Sequence, residues 1–151
     1  MATSNIIQYL QAGEAGDTSN RGQVETFLTN TTIAAGDWLA FDVSKTGADK
    51  TLFVLPTPAV AGRGNVVGVA LSAVTGTAST PVRVNVVIAG YVAVAKATAG
   101  TAQHASLTTS GTAGTTVTYA TGTHTGTGPC GIALTAEAGG FCEAWVSGRF
   151  A

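Results

Sequence analysis

Few side chains in this 151-residue sequence could perform nucleophilic or metal chemistry. Neither His104 nor His124 has a second His, a Cys or a carboxylate at the spacing of a metal site. Cys130 and Cys142 could each pair with a histidine as a nucleophile, but no local signature surrounds either one, and a small buried cysteine is the commoner role. The sequence therefore predicts no metal and no cofactor. It favours two free thiols, made in a reducing cytoplasm, over a disulfide between them.

Carboxylates could in principle form an acid–base pair across a folded sheet. The candidates are Asp37, Asp42, Asp49, Glu137 and Glu143. Asp37 and Asp49 stand in turn contexts, which is the commoner use of such residues. The glycine-rich stretch 62–68, GRGNVVG, precedes no helix that could bind a phosphate, so it predicts a β-turn. We therefore expect no enzyme activity.

Aromatic residues could instead form a platform for sugar binding. Trp38, Phe41, Phe53 and Trp145 all lie within segments with strand patterns. Aromatic side chains in such positions usually pack in the core, so the sequence favours core packing for all four.

The elements that would position these residues are β-strands. Alternating apolar residues run through the stretch 66–92, namely Val67, Val69 and Leu71, then Val82, Val84, Val86 and Ile88. A period of two predicts half-buried strands, here joined by a polar, Thr-rich turn. Four further strands are predicted at 24–28, 38–43, 51–55 and 115–119, the third ended by proline. The predicted fold class is all-β.

The second half of the sequence resembles the first. Residues 35–36 match 99–100 at an offset of 64 (99 − 35), GVALSA at 68–73 matches GIALTA at 131–136, and VIAGYV at 87–92 matches WVSGRF at 145–150. These matches predict two similar β-units, about 28–92 and 93–151, in one compact β-barrel or β-sandwich spanning 28–151. The two units could pair side by side or interleave.

Residues 1–27 are predicted to form an extended N-terminal arm. The segment is polar but contains the apolar group Ile6, Ile7, Tyr9 and Leu10. One interpretation is a strand that closes the domain's own sheet. The other is an arm that adds a strand to a neighbouring subunit or lies across it.

Charge and hydropathy exclude several classes of partner. A net charge of −1 provides no basic surface for nucleic acid. No apolar run approaches the roughly 20 residues of a membrane-spanning helix, so we expect no membrane insertion. Residues 98–136 contain no Asp, Glu, Lys or Arg. This segment is either a solubilising Thr/Gly loop or a surface that packs against other copies or another protein.

Three segments in a fixed order carry a family resemblance. AAGDWLAFD at 34–42, NVVGVAL at 65–71 and VRVNVVIAGYV at 82–92 resemble the small decoration, or cement, proteins of tailed-bacteriophage capsids. The resemblance implies a β-domain, commonly a homotrimer, that binds the outer capsid surface and strengthens the shell against internal DNA pressure. Its partner would be the major capsid protein.

The resemblance transfers no catalytic residues and no mapped contacts. The arm suggests Ile6, Ile7, Tyr9, Leu10 and Arg21 as candidate capsid or subunit contacts. The alternative function is a carbohydrate- or receptor-binding β-module of a phage fibre or a cell-surface appendage.

Overall fold

The computed structural model describes residues 22–59, 66–124 and 128–147. It confirms the all-β class. Within these residues lie eleven strands and one short helix: β1 (Gly22–Thr29), β2 (Thr32–Ile33), β3 (Trp38–Phe41), α1 (Asp49–Leu52), β4 (Val54–Pro56), β5 (Val66–Ala70), β6 (Val74–Thr75), β7 (Val82–Lys96), β8 (Ser106–Thr109), β9 (Thr116–Thr118), β10 (Gly131–Ala133) and β11 (Phe141–Val146).

Most of these strands belong to one curled, nine-stranded antiparallel sheet. Its order is β4-β3-β5-β7-β11-β10-β8-β9, with β1 paired to β7, while β2 and β6 form a separate pair. The first part of β7 pairs with both β1 and β5, and its last part pairs with β11. The long strand β7 is therefore shared by both halves of the sheet.

Gly90 marks the point where β7 passes from one half to the other. It lies opposite Gly22 of β1 and opposite Val146 of β11. Its φ of 99° is a conformation that residues with a side chain rarely adopt. A glycine at this position allows one strand to bend between the two halves.

Each half curls until its outer strands meet. A parallel bridge between Leu28 and Phe53 connects β1 with the residue before β4. A second parallel bridge, between Ala97 and Thr116, connects the residue after β7 with β9. These bridges satisfy backbone groups at strand edges that would otherwise be exposed.

The two halves pair their strands in the same order and register. In the first, β3 pairs with β4 and β5, and β5 pairs with β7; in the second, β8 pairs with β9 and β10, and β10 pairs with β11. A Cβ on Gly68 would overlap the carbonyl oxygen of Val87, and a Cβ on Gly131 would lie 2.6 Å from that of Trp145. Corresponding glycines thus permit the same close approach of backbones in both halves.

The structural correspondence departs from the sequence match at one turn. The Gly36 N–H donates to the Ala70 carbonyl, and the His104 N–H donates to the Ala133 carbonyl in the same way. Both donors have positive φ, 81° and 65°. His104, rather than Gly100, is therefore the counterpart of Gly36. A constant offset fails because the connection between β3 and β4, which contains α1, is longer than that between β8 and β9.

The core consists of two apolar clusters. One fills the first half: Phe27, Ile33, Leu39, Val54, Val67, Ala70, Val84, Val86 and Ile88. The other lies between the halves: Trp38, Val66, Val69, Val87, Val92, Ala95, Ala97, Leu107, Ala133, Cys142, Ala144 and Val146. Strand β5 contributes to both clusters, so it is buried on both faces rather than half-buried as its alternation predicted. Leu71 lies beyond β5 and is exposed.

Trp38 occupies the cluster between the halves, and the prediction that it packs in the core is confirmed. Its side chain is fully buried, and its Nε1–H donates to the Lys96 carbonyl at 3.1 Å. The neighbouring residues of the second half, such as Ala95 and Ala133, are small. One large ring from the first half thus fills space that the small side chains of the second half leave.

The start of the strand predicted at 51–55 was wrong. Residues 51 and 52 belong to α1 rather than to a strand, because the Phe53 N–H donates to the Asp49 carbonyl and the Thr51 hydroxyl donates to the Ala48 carbonyl. The predicted strand at 24–28 is confirmed as part of β1, and residues 22–27 of the predicted arm pair with β7.

Candidate interaction surfaces

The five predicted contact residues, Ile6, Ile7, Tyr9, Leu10 and Arg21, lie outside the described residues. The described chain begins at Gly22, where an added Cβ would lie 3.3 Å from the Tyr91 carbonyl oxygen. The backbone of Gly22 therefore lies close to that of Tyr91. The turn predicted at 62–68 also falls largely outside the described residues, apart from its last three residues in β5.

A row of side chains crosses the outer face of the second half. Tyr91 of β7 lies opposite Trp145 of β11, Trp145 lies opposite Ile132 of β10, and Ile132 lies opposite Ser106 of β8. The Tyr119 N–H donates to the Ser106 carbonyl at 2.7 Å, which extends the row to the end of β9. We call Tyr91, Trp145, Ile132, Ser106 and Tyr119 the aromatic row. Directly opposed residues share one face of a sheet.

The prediction that Trp145 packs in the core was wrong. Its side chain is 40% exposed and Ile132 is 41% exposed. The cause is the alternation along β11: Cys142, Ala144 and Val146 point into the core, whereas Phe141, Glu143 and Trp145 point outward. The outward position of Trp145 could have been predicted from the sequence. Residues two apart on a strand share a face, so Trp145 lies on the face of Glu143, and the residues on either side of Trp145 are small enough for the core. Phe41 and Phe53 are partly buried.

Glu143 provides a fixed acceptor beside the row. Burial, followed by the charge of Glu143 and a hydrogen bond with its side chain, raises the pKa of the Tyr91 hydroxyl. The Glu143 N–H donates to Thr135 Oγ1 at 3.0 Å, and its carbonyl accepts the Leu134 N–H at 2.8 Å. The Glu143 carboxylate thus lies next to exposed aromatic rings, and both the N–H and the carbonyl of Glu143 are hydrogen-bonded.

A smaller apolar patch lies near the turn before β3. Val94 is 47% exposed and Phe141 is 38% exposed. A Cβ on Gly36 would lie 3.3 Å from Val94 Cγ1 and 3.5 Å from Phe141 Cε1. These two side chains therefore flank Gly36, at the opposite end of β11 from Trp145.

The remaining candidate carboxylates stabilise turns. Asp37 accepts the Ala34 N–H at 2.7 Å and pairs with Lys96 at 2.7 Å. Asp42 accepts from the N–H and the hydroxyl of Ser44. Asp49 lies in the first turn of α1, where the helix dipole favours a negative charge.

Glu137 has the same kind of structural role in the second half. Its carboxylate accepts the Gly140 N–H at 2.6 Å and the Gly100 N–H at 3.3 Å. Backbone hydrogen bonds of this kind satisfy donors in turns and leave the acid engaged.

The histidines and cysteines have no shared geometry for catalysis. His104 occupies an exposed turn, and His124 Nδ1 accepts the Ala120 N–H at 2.9 Å. The Cys130 thiol donates to the Leu107 carbonyl, and burial raises its pKa to about 12. Both cysteines are free thiols. Across the described ranges, no three His, Cys, Asp or Glu side chains converge on a metal-sized site.

Packing accounts for part of the uncharged segment 98–136. Thr101, Thr108, Thr109, Ser110 and Thr116 are buried. Some of their hydroxyl groups hydrogen-bond to backbone carbonyls. The Thr116 hydroxyl, for example, donates to the Lys96 carbonyl at 2.9 Å. The segment is therefore neither a simple loop nor only a contact surface, because several of its hydroxyl groups belong to the core.

In the part of the chain that the structure describes, no helix has the length and apolar character needed to cross a membrane.

No protein-family model matches the chain, and no curated protein sequence matches it. Among solved structures, the fold is similar to the head fiber gp8.5 N base of bacteriophage phi29. The two chains are 18% identical, with a TM-score of 0.58, and the match covers 85% of this chain and 99% of that one. At this identity the likeness shows a shared fold.

Proposed function

We propose that this protein is a structural component of a bacteriophage virion. It binds the outer surface of the capsid and cements neighbouring subunits of the major capsid protein. The observation that carries the proposal is the fold shared with a phage head fiber base over nearly all of that chain. Fold likeness is an analogy for function, and the composition of the surface supports the same role.

The surface is suited to contacts with other proteins. The chain has a net charge of −1, and only 10% of its residues are charged. Exposed apolar side chains outside the aromatic row include Val94 and Phe141. Interface cores are depleted of charge and enriched in aromatic residues. A weakly charged protein also fits an outer capsid surface better than a surface that faces DNA.

Cementing would follow from several modest contacts made at once. In our proposal the protein is a homotrimer, so each seated copy holds the other two near their sites. Contacts that are weak alone become effectively intramolecular, and the overall affinity rises without any single strong contact. Arm residues Ile6, Ile7, Tyr9, Leu10 and Arg21 would clamp a neighbouring subunit.

A non-enzymatic role agrees with the site geometry. Asp37 and Lys96 pair with each other, Glu137 accepts backbone N–H groups, and the partly buried Cys130 thiol donates to the Leu107 carbonyl. These groups stabilise the fold of a scaffold.

Capsid stability tests the cementing role. Undecorated capsids filled with DNA are heated with and without the purified protein, and DNA release is followed with an intercalating dye. Cementing predicts release at a higher temperature, saturating at a fixed ratio of this protein to the major capsid protein. Release at an unchanged temperature, with the protein bound, would leave binding without cementing.

The second candidate function is a carbohydrate- or receptor-binding module of a virion appendage. One specific observation favours it, namely the exposure of Trp145 beside Tyr91 and Glu143. This role is compatible with attachment to a capsid, because the proposed arm contacts and the row residues are different residues of the sequence.

A further inference from the structure

We infer that the aromatic row binds a neutral oligosaccharide, with Trp145 as the stacking surface and Glu143 as the hydrogen-bond acceptor. This inference gives a site and a ligand class to the second candidate function. It does not depend on capsid binding.

The register of the sheet creates the stacking surface. Tyr91 and Trp145 are direct partners on β7 and β11, and Ile132 follows on β10. Trp145 and Ile132 are each about two-fifths exposed. Aromatic rings present a large apolar face, which is suited to the C–H groups of a pyranose ring.

Three members of the row, Tyr91, Trp145 and Ile132, provide room for about three sugar units. Neighbouring strands in a sheet lie about 4.8 Å apart, so the two strand spacings from Tyr91 to Ile132 span roughly 10 Å. One strand spacing is close to the length of one pyranose unit in an extended chain. An oligosaccharide lying across the strands would therefore place successive units over successive members of the row.

The polar groups beside the rings fit a polyhydroxylated ligand. Burial and, after it, the nearby Glu143 carboxylate raise the pKa of the Tyr91 hydroxyl, so the two groups lie close together. Two carboxylate oxygens offer about four acceptor positions, which leaves capacity for sugar hydroxyls. Ser106 and Tyr119 add hydroxyl groups that donate and accept at the other end of the row.

The charges around the row favour a neutral oligosaccharide over an anionic ligand or a protein partner. Among the described residues, no Lys or Arg belongs to the row, and Lys96 is paired with Asp37. An anionic ligand would meet the negative charge of Glu143, and none of the described residues of the row carries a Lys or Arg charge to offset it. A protein face that covered Trp145 would desolvate Glu143, which is costly without a paired cation. Sugar hydroxyls keep the carboxylate hydrogen-bonded and partly wet.

Titration of the full-length protein with tetrasaccharides tests the site. The probes are neutral glucan, galactan and N-acetylglucosamine tetrasaccharides, followed by calorimetry and by tryptophan fluorescence. We expect one class to bind, and we expect Trp145→Ala and Glu143→Ala each to raise its Kd by about tenfold or more. The matched control is Phe141→Ala, which removes an exposed aromatic ring from the outer side of the same strand outside the row. It should change the Kd less than about twofold.

The fluorescence signal assigns the binding to the row. Trp38 is fully buried, so a ligand-dependent change must come from Trp145 and should vanish in Trp145→Ala. The inference is overturned if no tetrasaccharide binds, or if Trp145→Ala binds as tightly as the parent with an unchanged melting curve. It is also overturned if Trp145→Ala leaves sugar binding intact and lowers the mass in solution, since the row would then be an interface between copies.

The capsid-cement proposal and the sugar-binding inference can be tested independently of each other. Co-sedimentation of the same Trp145→Ala variant with capsids reports the capsid function alone. Retained capsid binding without any sugar binding by the parent removes only this inference. Sugar binding by a protein that ignores capsids removes only the cement proposal.

Discussion

The Asp37 carboxylate lies 2.7 Å from the Lys96 ammonium, and this ion pair joins the turn before β3 to the end of β7. Two backbone contacts lie around it: the Lys96 N–H donates to the Gly36 carbonyl, and the Lys96 carbonyl accepts the Trp38 Nε1–H. Lys96 is thus one of the residues that connect the first half of the sheet to the second.

Loss of the Lys96 ammonium should destabilise the fold. Asp37 is buried and Lys96 is about three-tenths exposed, so Lys96→Met leaves a mostly buried carboxylate without its cation. Partial exposure of the pair reduces the penalty, and we expect a loss of about 2 kcal/mol in the free energy of unfolding, measured in urea. The control is Lys45→Met, because Lys45 lies 4.0 Å from Asp42. A loss as large for Lys45 as for Lys96 would contradict the proposed role of the junction.

Gly131 should tolerate no side chain. A Cβ there would lie 2.6 Å from the Trp145 carbonyl and 2.9 Å from the Trp38 ring, and neither can move freely. Overpacking of this kind predicts that Gly131→Ala lowers the free energy of unfolding by about 1 to 3 kcal/mol. Gly111→Ala is the control, since nothing lies within 4 Å of its Cβ position. Equal thermal stability of the two variants would show that the two halves do not approach as described.

The Cys130 thiol should remain unreactive in the folded protein. Burial raises its pKa from 9.0 to about 12, so almost no thiolate exists at neutral pH. Ellman's reagent at pH 8 should label Cys130 only as the chain unfolds, with Cys142→Ala used to isolate its signal. Rapid labelling in the native state would show that the thiol is accessible.

The same group predicts a loss of stability at alkaline pH. A pKa raised by folding contributes stability that is complete below about 9 and declines as the pH rises toward 12. The parent should therefore lose more stability than Cys130→Ala between pH 8 and pH 10.5. Comparing the two proteins in urea cancels the Tyr91 and Cys142 contributions, which have the same sign. An identical decline in both would remove Cys130 as a cause.

The apolar arm residues should be needed for capsid binding. In the full-length chain, replacing Ile6, Ile7, Tyr9 and Leu10 together by serine is expected to abolish co-sedimentation with capsids, because apolar anchors supply most of the energy in such interfaces. The matched control replaces Val43 and Leu52, which are exposed on the sheet domain, by serine. Full binding by the arm variant would exclude the arm as a clamp.

Sequence patterns could predict strand positions but not every face. Alternation located β7, and the burial of Trp38 followed from its place on a strand. Trp145 was assigned to the core because its residue type was weighed above its register. The small residues Ala144 and Val146 on either side of it are the ones that fill the core. A large apolar side chain can lie on either face of a strand, and the phase of the alternation decides which.

Two features of the fold could not be predicted from the sequence because they depend on pairing between distant segments. Nothing local to β5 shows that both of its faces are covered, because the second cluster forms only when the other half packs against it. The positive φ of His104 was equally hidden, because the alignment of Gly100 with Gly36 placed the turn four positions too early. These features depend on contacts between distant segments, which local propensity does not report.

Co-sedimentation with undecorated capsids tests the central claim most directly. Increasing amounts of the full-length protein are mixed with capsids that lack their decoration protein, and the pelleted fraction is quantified with bovine serum albumin as the control. The capsid-cement account predicts saturable binding at a fixed ratio to the major capsid protein. A well-folded protein that stays in the supernatant at every concentration would contradict it.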